Sequence, residues 1–189
     1  MNHQSLKQTD MKKLILLSMI FFCSFSYGQK FILTPNGLRD SLNIEKSYVV
    51  INVEGKTAKQ LYDNALKFIN KSYKNPSEVI KGNTESEYLK FVTHDPDFLT
   101  LKSLGMTLIW GGSYTTELSF KDGKVKYEII NLEMRDEING TGTFPLKGGI
   151  FKNDGTVRKK DAKSQVELNM NFQLKSLIVA LAGTKTDNW

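Results

Sequence analysis

The sequence is poor in the residues that build thiol and metal chemistry. Its 189 residues include one cysteine, Cys23, and two histidines. A lone cysteine cannot close a disulfide within its own chain, and a zinc site ordinarily draws several ligands from cysteine and histidine. We therefore expect neither a bound metal nor a cofactor, and a stability that rests on packing alone.

The excess of positive over negative charge is also small. The chain carries 26 basic and 20 acidic residues, a net charge of +6, and the excess is spread along the sequence. A nucleic-acid footprint is instead a concentrated basic patch, so we expect no nucleic-acid partner. The densest basic cluster is Arg158-Lys159-Lys160, followed by Lys163. We interpret it as a solvated loop before the last helix, with contact to an acidic partner or to lipid headgroups as the alternative.

The N-terminus has the pattern of a secretory signal peptide. Lys12 and Lys13 precede an apolar run over residues 14–23. A run of about 7–15 apolar residues behind a positive segment is typical of export, whereas a membrane-spanning helix needs about 20. Small residues near Gly28 predict cleavage between Gly28 and Gln29. We expect an exported protein, periplasmic or secreted, with no transmembrane anchor after cleavage.

The mature chain divides into three predicted segments behind the signal peptide of residues 1–28. Residues 29–47 form a loosely ordered N-terminal lead-in, residues 48–183 form a single domain, and residues 184–189 form a C-terminal tail. The apolar, β-branched residues 48–53 predict a central strand. Thr57 and Gln60 have the spacing of a capping box and predict a helix that continues to Tyr73.

Alternating apolar residues predict a long hairpin in the middle of the chain. Residues 113–121 and 124–129 alternate in polarity on either side of Asp122-Gly123, a two-residue turn signal. Residues 87–93 predict another strand, and residues 94–97 a loop. Residues 106–110 predict a strand that is stopped or bulged at the glycines of positions 111 and 112.

The C-terminal part combines an irregular segment with an ambiguous periodic one. Residues 135–160 are rich in glycine and lack a sustained period, so we expect an irregular excursion, either functional or mobile. In residues 166–174 a strand period competes with a helix period. We favour a helix because the pattern continues to Leu181 and Gly183 supplies a stop. The element order predicts an α+β fold, a mainly antiparallel sheet with two helices packed on one face.

The chain also resembles a family of exported bacterial domains of unknown function whose fold is similar to that of the TATA-binding protein. The resemblance rests on residues 48–53, on the helix containing Lys59-Gln60-Leu61-Tyr62, and on the hairpin segment 118–129. It covers roughly residues 48–132 and implies a TBP-like fold and export. The family offers no catalytic residues, and DNA binding by its namesake does not transfer, since a fold does not fix a function.

Two candidate sites follow from these expectations. One side of an antiparallel sheet can remain open to solvent, and on that side we expect a ligand surface made of polar hairpin residues: Thr115, Glu117, Ser119, Lys126 and Glu128. The favoured function is a non-enzymatic binding or interaction module of the bacterial cell envelope, with an envelope protein or a glycan as its partner. The alternative is a small envelope hydrolase that uses His94 with the nearby acids Asp95 and Asp97.

Overall fold

The computed structural model describes residues 29–183 except residues 104, 138, 139 and 141. The predicted signal peptide (1–28) and C-terminal tail (184–189) lie outside the described residues. In chain order the described elements are β1 (Phe31–Thr34), β2 (Gly37–Asp40), β3 (Tyr48–Asn52), α1 (Ala58–Ser72), α2 (Pro76–Val79), β4 (Ile80–Thr84), β5 (Tyr88–Ser103), β6 (Met106–Lys121), β7 (Lys124–Asp136) and α3 (Lys160–Ala182).

Five of the strands form one antiparallel sheet, in the order β3-β7-β6-β5-β4, so β3 is a strand as predicted but lies at an edge of the sheet and not at its centre. Both long helices pack on the same face of this sheet. Phe68 of α1, Tyr114 and Tyr127 of the sheet and Leu177 of α3 line one small cavity between the two layers. The predicted α+β fold, a mainly antiparallel sheet with two helices on one face, is confirmed.

Helix α1 begins where the capping box predicts. The Thr57 side chain accepts a hydrogen bond from the Gln60 backbone N–H, and the Gln60 side chain accepts one from the Thr57 N–H. These two bonds satisfy donors that a helix start leaves unpaired. Leu61, Ala65 and Ile69 then recur at helical spacing and are fully buried against the sheet.

The β6–β7 hairpin is confirmed with its predicted turn. Lys121 pairs with Lys124 across the turn, and Gly123 takes a positive φ of 73° that favours glycine. Side chains that alternate toward the helices are buried, among them Leu118 and Val125 at 0% exposure. Burial of this face fixes the register, because a slip of one residue would turn every apolar side chain toward solvent.

The predicted loosely ordered lead-in is instead a second small sheet. Strands β1 and β2 pair as an antiparallel hairpin, joined by a turn that Gly37 completes at a φ of +97°. Phe31, Leu33 and Leu38 are almost completely buried, and the Phe31 ring meets the edge of Tyr127 at a centroid distance of 5.5 Å. Two strands of four residues give too short an alternation to stand out in a sequence of mixed polarity.

Residues 166–174 lie in α3, as favoured, and not in a strand. The inward side chains Val166, Met170 and Leu174 are buried. Polar side chains of the helix bind the backbones of two strands. Asn171 accepts from the Phe31 N–H at 2.8 Å and donates to the Phe31 carbonyl at 2.9 Å. Leu168 and Phe172, with 69% and 67% of their surface exposed, lie on the outward side and blur the helical pattern.

The predicted loop at residues 94–97 is wrong, and β6 does not stop at Gly111-Gly112, although the pairing opposite these glycines is irregular as the alternative of a bulge predicted. Strands β5 and β6 run through these positions as a hairpin of two 16-residue strands. Between Asp95 and Leu99 of β5 the register shifts, and in this irregularity Phe98 folds inward. A Cβ on Gly112 would lie 2.3 Å from Cγ of Phe98, so the glycine lets the ring pass over β6.

The excursion after β7 is irregular, as predicted, but it contributes to the core. Within residues 142–159, Ile150 and Phe151 are buried, and Phe144 packs on Trp110 at a centroid distance of 5.1 Å. The Arg158 and Lys159 backbone N–H groups both donate to the Ile150 carbonyl. The described part of this segment therefore stabilises the fold through packing. Across residues 29–183, outside the four gaps, no helix is both long and apolar enough to cross a membrane.

Candidate functional site

The open sheet face consists of the side chains of β3, β5, β6 and β7 that point away from α1 and α3. Cross-strand register arranges these side chains in rows. One row runs Lys90, Glu117, Glu128, Tyr48, and the next runs Tyr88, Ser119, Lys126, Val50. All of these residues are partly exposed. The sheet thus brings the predicted residues Glu117, Ser119, Lys126 and Glu128 together on one surface.

Two glutamates directly oppose each other at the centre of this face. Glu117 and Glu128 are cross-strand partners, and like charges in that position destabilise a sheet. Each carboxylate has its own cation. Lys90 Nζ lies 3.1 Å from Glu117 Oε1, and Lys126 Nζ lies 2.7 Å from Glu128 Oε2. The result is a central pair of carboxylates with one lysine ammonium group beside each, held without helix contacts.

Glu128, on the open sheet face, has a pKa below its ordinary value. Burial alone would raise its pKa, but hydrogen bonds from Lys126 and Ser47, with the charges of Lys126 and Arg39, outweigh burial and hold the pKa below its ordinary value. Glu128 is therefore ionised at neutral pH. Its negative charge orders Lys126, whose Nζ lies 4.6 Å from the centroid of the Tyr48 ring.

Thr115 differs from the other four predicted residues. It lies in the same alternation but is only 7% exposed, because its row neighbours Val92 and Ile130 flank it on both sides. Beside this row the register of β6 and β7 shifts, and Asn131 adopts a positive φ of 54°. The Thr115 side chain packs between strands and offers a partner little surface.

The structure does not assemble the hypothetical His94, Asp95 and Asp97 site. His94 and Asp95 are consecutive strand residues, whose side chains point to opposite faces. His94 instead lies 3.0 Å through Nδ1 from Ser113 Oγ and 3.5 Å through Nε2 from Glu137 Oε1. Sequence reasoning missed Ser113 and Glu137, because the β5–β6 register places Ser113 opposite His94 and Glu137 reaches His94 from the turn after β7.

A fragment of a phosphate-loop motif lies between β3 and α1 but does not form such a loop. Gly55-Lys56-Thr57 has the right final residues, yet Val50 stands where the motif requires its first glycine. The Thr57 hydroxyl caps the helix, and the Asp122 carboxylate accepts from the Ala58 backbone N–H at 2.8 Å. A carboxylate of this chain thus occupies the place of a phosphate.

A cluster of buried hydroxyl groups lies beneath the sheet, on the helix side. Tyr73 and Thr93 share a hydrogen bond of 2.5 Å, and Tyr114 and Tyr127 lie beside them. Burial raises the pKa values of Tyr73, Tyr114 and Tyr127. These phenols are neutral and enclosed, which suits a structural role. No group of three or more His, Cys, Asp or Glu residues that could hold a metal is found among residues the structure describes.

Comparison with known proteins identifies relatives of the fold. Residues 48–135 match the family model described as Domain of unknown function (DUF4468) with TBP-like fold. A DUF4468 family protein from Bacteroides ovatus ATCC 8483 is 14% identical, with a TM-score of 0.56, covering 74% of this chain and 86% of that chain. A TBP-like protein from Parabacteroides distasonis ATCC 8503 is 12% identical, with a TM-score of 0.54, covering 71% and 90%. No curated protein matches the sequence.

Proposed function

Because the chain belongs, through residues 48–135, to the DUF4468 family with a TBP-like fold, we propose that it is an exported, non-enzymatic binding module of the bacterial cell envelope. A family of unknown function supplies a fold and no activity, so the proposal rests on the site. The single observation that carries it is the open sheet face, where ordered charges of both signs lie beside tyrosine rings without a covering helix.

The dimensions of the open sheet face suit a protein partner. Strand β7 has 13 residues, which at about 3.3 Å per residue extend about 43 Å, and the four strands of the face, about 4.8 Å apart, span about 14 Å. A typical protein interface buries about 800 Å² on each partner, and this face is of that order. We commit to an envelope protein, with a glycan as the competing outcome.

The charge pattern supports the same class of partner. Lys90 pairs with Glu117 and Lys126 pairs with Glu128, so these two ion pairs balance in charge and attract neither anions nor cations as a whole. A protein surface with basic groups opposite the two glutamates and acidic groups opposite the two lysines matches this pattern, and complementary charges fix register and exclude wrong partners. Tyr48 and Tyr88 add amphipathic rings of the kind enriched at protein interfaces.

Site-specific photo-crosslinking in cells tests the proposed surface. A photoreactive amino acid at Ser119 reports on the open sheet face, and the same residue at Lys67, exposed on α1, is the matched control. We expect a discrete crosslinked protein band from position 119 and none from position 67. Identical bands from both positions, or none from position 119 with the protein correctly folded, would contradict the proposal. A diffuse, glycosidase-sensitive adduct would favour the glycan.

Export is tested separately, on the N-terminus of the protein purified from cells. The charged segment and apolar run of residues 12–23 predict cleavage after Gly28, so mass spectrometry of the envelope fraction should find a chain that starts at Gln29. An intact chain that stays in the cytosol would refute the proposed location. That result would not bear on the open sheet face, which the crosslinking experiment tests independently.

A hydrolase is the second candidate, supported by the His94 geometry. A serine nucleophile needs a base within hydrogen-bond reach and a third group to orient that base. Ser113 lies beside Nδ1 of His94, in the position of the nucleophile, and Glu137 lies beside Nε2, in the position of the orienting group. A fluorophosphonate probe should label Ser113, and Ser113→Ala should abolish the labelling, if the protein is a hydrolase. Absence of labelling in the folded wild-type protein would eliminate this candidate.

A further inference from the structure

A second candidate surface lies on the helix side of the molecule, away from the open sheet face. It is an open groove of about 800 Å³ between residues 100–102 of β5 and the residues around the start of α3, 157–162 and 165. We name it the basic groove, because four cationic side chains line it: Lys102, Arg158, Lys159 and Lys160. Its volume falls within the roughly 300–1,000 Å³ that small-molecule sites occupy.

The charge of the basic groove is poorly compensated by the protein itself. Among the described residues none of the four cations forms an ion pair with a carboxylate. Asp161 is the single acidic residue in the lining, which leaves four positive charges against one negative charge. Like charges gathered around one groove repel one another, and a bound anion relieves that repulsion.

The walls of the groove are held in place by hydrogen bonds across its floor. Gln165 of α3 accepts from the Thr100 backbone N–H at 3.0 Å and donates to the Thr100 carbonyl at 2.9 Å. Arg158 Nη1 donates to the Gly148 carbonyl at 2.7 Å, which fixes one edge of the guanidinium. The remaining guanidinium N–H groups keep the forked geometry that suits phosphate oxygens.

The start of α3 adds partial positive charge to the same groove. No side chain caps this helix at Lys159, whereas at α1 the Asp122 carboxylate already accepts from the first helical N–H. Helix N-termini favour anions. This contribution is secondary, because the four cations and the groove they line carry the inference without it.

We propose that the basic groove binds a phosphorylated saccharide carrying at least two phosphate groups. Two phosphates match four cations on opposite walls of the groove. Lys102 of β5 lies on one wall, and the other wall carries three cations at the start of α3: Arg158, Lys159 and Lys160. No aromatic side chain lines the groove among the described residues, so a nucleotide base would find no ring to stack on. The exposed side chains of Thr100, which is polar, and Val157, which is apolar, suit a sugar ring.

Calorimetric titration of the purified protein with glucose 1,6-bisphosphate tests the proposal. We expect saturable binding at one site that weakens as salt increases, with no binding of glucose itself. The groove variant is Lys102→Glu with Lys160→Glu. We expect it to weaken binding on the order of tenfold or more, because each reversal replaces attraction by repulsion at contact distance. Melting temperatures measured by circular dichroism establish that each variant is folded.

The matched control is Lys67→Glu with Lys74→Glu, which changes the net charge equally on exposed positions in and just after α1. It should bind glucose 1,6-bisphosphate within about twofold of the wild-type protein, because surface charges beyond a Debye length are screened. Equal losses in both double variants, no binding by the folded wild-type protein, or tighter binding of ADP than of the bisphosphate would each overturn the proposal.

The source of the phosphorylated group is resolved by a vesicle arm of the same experiment. Phosphatidylcholine vesicles containing phosphatidic acid present phosphomonoesters on a membrane, and pure phosphatidylcholine vesicles are the control. Co-sedimentation with phosphatidic acid vesicles, lost in the groove variant and displaced by glucose 1,6-bisphosphate, would support the site with a lipid-borne ligand. Binding to the vesicles that survives Lys102→Glu with Lys160→Glu would count against it.

Discussion

Replacing Gly112 by alanine should destabilise the protein through one steric contact. The added Cβ would lie 2.3, 2.6 and 2.8 Å from Cγ, Cδ1 and Cβ of Phe98, whose side chain is 1% exposed. Carbon atoms pack well at about 3.5–4.0 Å, so the ring or the strand must move by more than 1 Å. The φ angle of Gly112 is not positive, and alanine is therefore compatible with the backbone.

Overpacking of this kind costs about 1–3 kcal/mol of the free energy of unfolding, and the short distances favour the upper value. Phe98→Ala should cost about 3–5 kcal/mol. In the double variant two of the three clashing atoms are gone and only Cβ of residue 98, at 2.8 Å, remains, so Gly112→Ala should cost less beside Phe98→Ala than it does alone. We expect a coupling free energy of about 2 kcal/mol from urea unfolding of the four proteins.

The matched control is Gly142→Ala, whose Cβ would meet its nearest neighbour, the Trp110 ring, at 3.7 Å. That is an ordinary contact distance, and we expect a change within about 0.5 kcal/mol. Strict additivity of Gly112→Ala and Phe98→Ala, or a Gly112→Ala variant as stable as the wild type, would refute the steric explanation for this glycine.

Three further predictions concern a cap and two groups with shifted pKa values. Thr57→Ala should lower the free energy of unfolding by about 1 kcal/mol, with Thr57→Ser close to the wild type in urea unfolding. Glu128 has a lowered pKa in the folded state, so its stabilising contribution is present above its unfolded pKa and is lost as pH falls. Lys126→Met should shrink that contribution and move acid unfolding to higher pH, which urea midpoints across the acid range will measure. Burial raises the pKa of Tyr127, so the stability it contributes is complete below the unfolded value of about 10 and declines above it. Alkaline difference spectroscopy should show this phenol ionising only together with unfolding.

Periodicity and capping chemistry are local, and they predicted the elements that depend on them. The Thr57 capping box, the Asp122-Gly123 turn and the alternation of residues 113–121 and 124–129 each rest on neighbours in sequence. The helix over 166–181 was harder, because Leu168 and Phe172 face outward and Asn171 faces a strand. Continuity to Gly183 decided between the two periods correctly.

The errors share a different cause, since each depends on a contact between distant parts of the chain. The glycines at positions 111 and 112 predicted a stop or a bulge in β6. Gly112 is instead required because the Phe98 ring lies against it, and the register shift of β5 brings Phe98 there. The lead-in hairpin is ordered by α3 at the other end of the sequence. No local pattern contains either contact.

The same distinction applies to the candidate site. Strand alternation placed Glu117, Ser119, Lys126 and Glu128 on one face, because a period of two is a property of the strand alone. Burial of Thr115 depends on the β5 and β7 residues beside it, which alternation within one strand does not specify. The position of Ser113 beside His94 likewise follows from the β5–β6 register, which the sequence of two long strands leaves undetermined.

Helix α3 holds the first strand as a neighbouring strand would. The amides of Phe31 and Leu33 donate to side chains of Asn171 and Glu167, 140 and 134 positions away in sequence. Release of the N-terminal hairpin therefore removes hydrogen-bond partners from the last helix, and undocking of the helix exposes the hairpin. The two ends of the domain should open as a single cooperative unit, so in native-state hydrogen exchange these two amides should share the opening free energy of the helix interior.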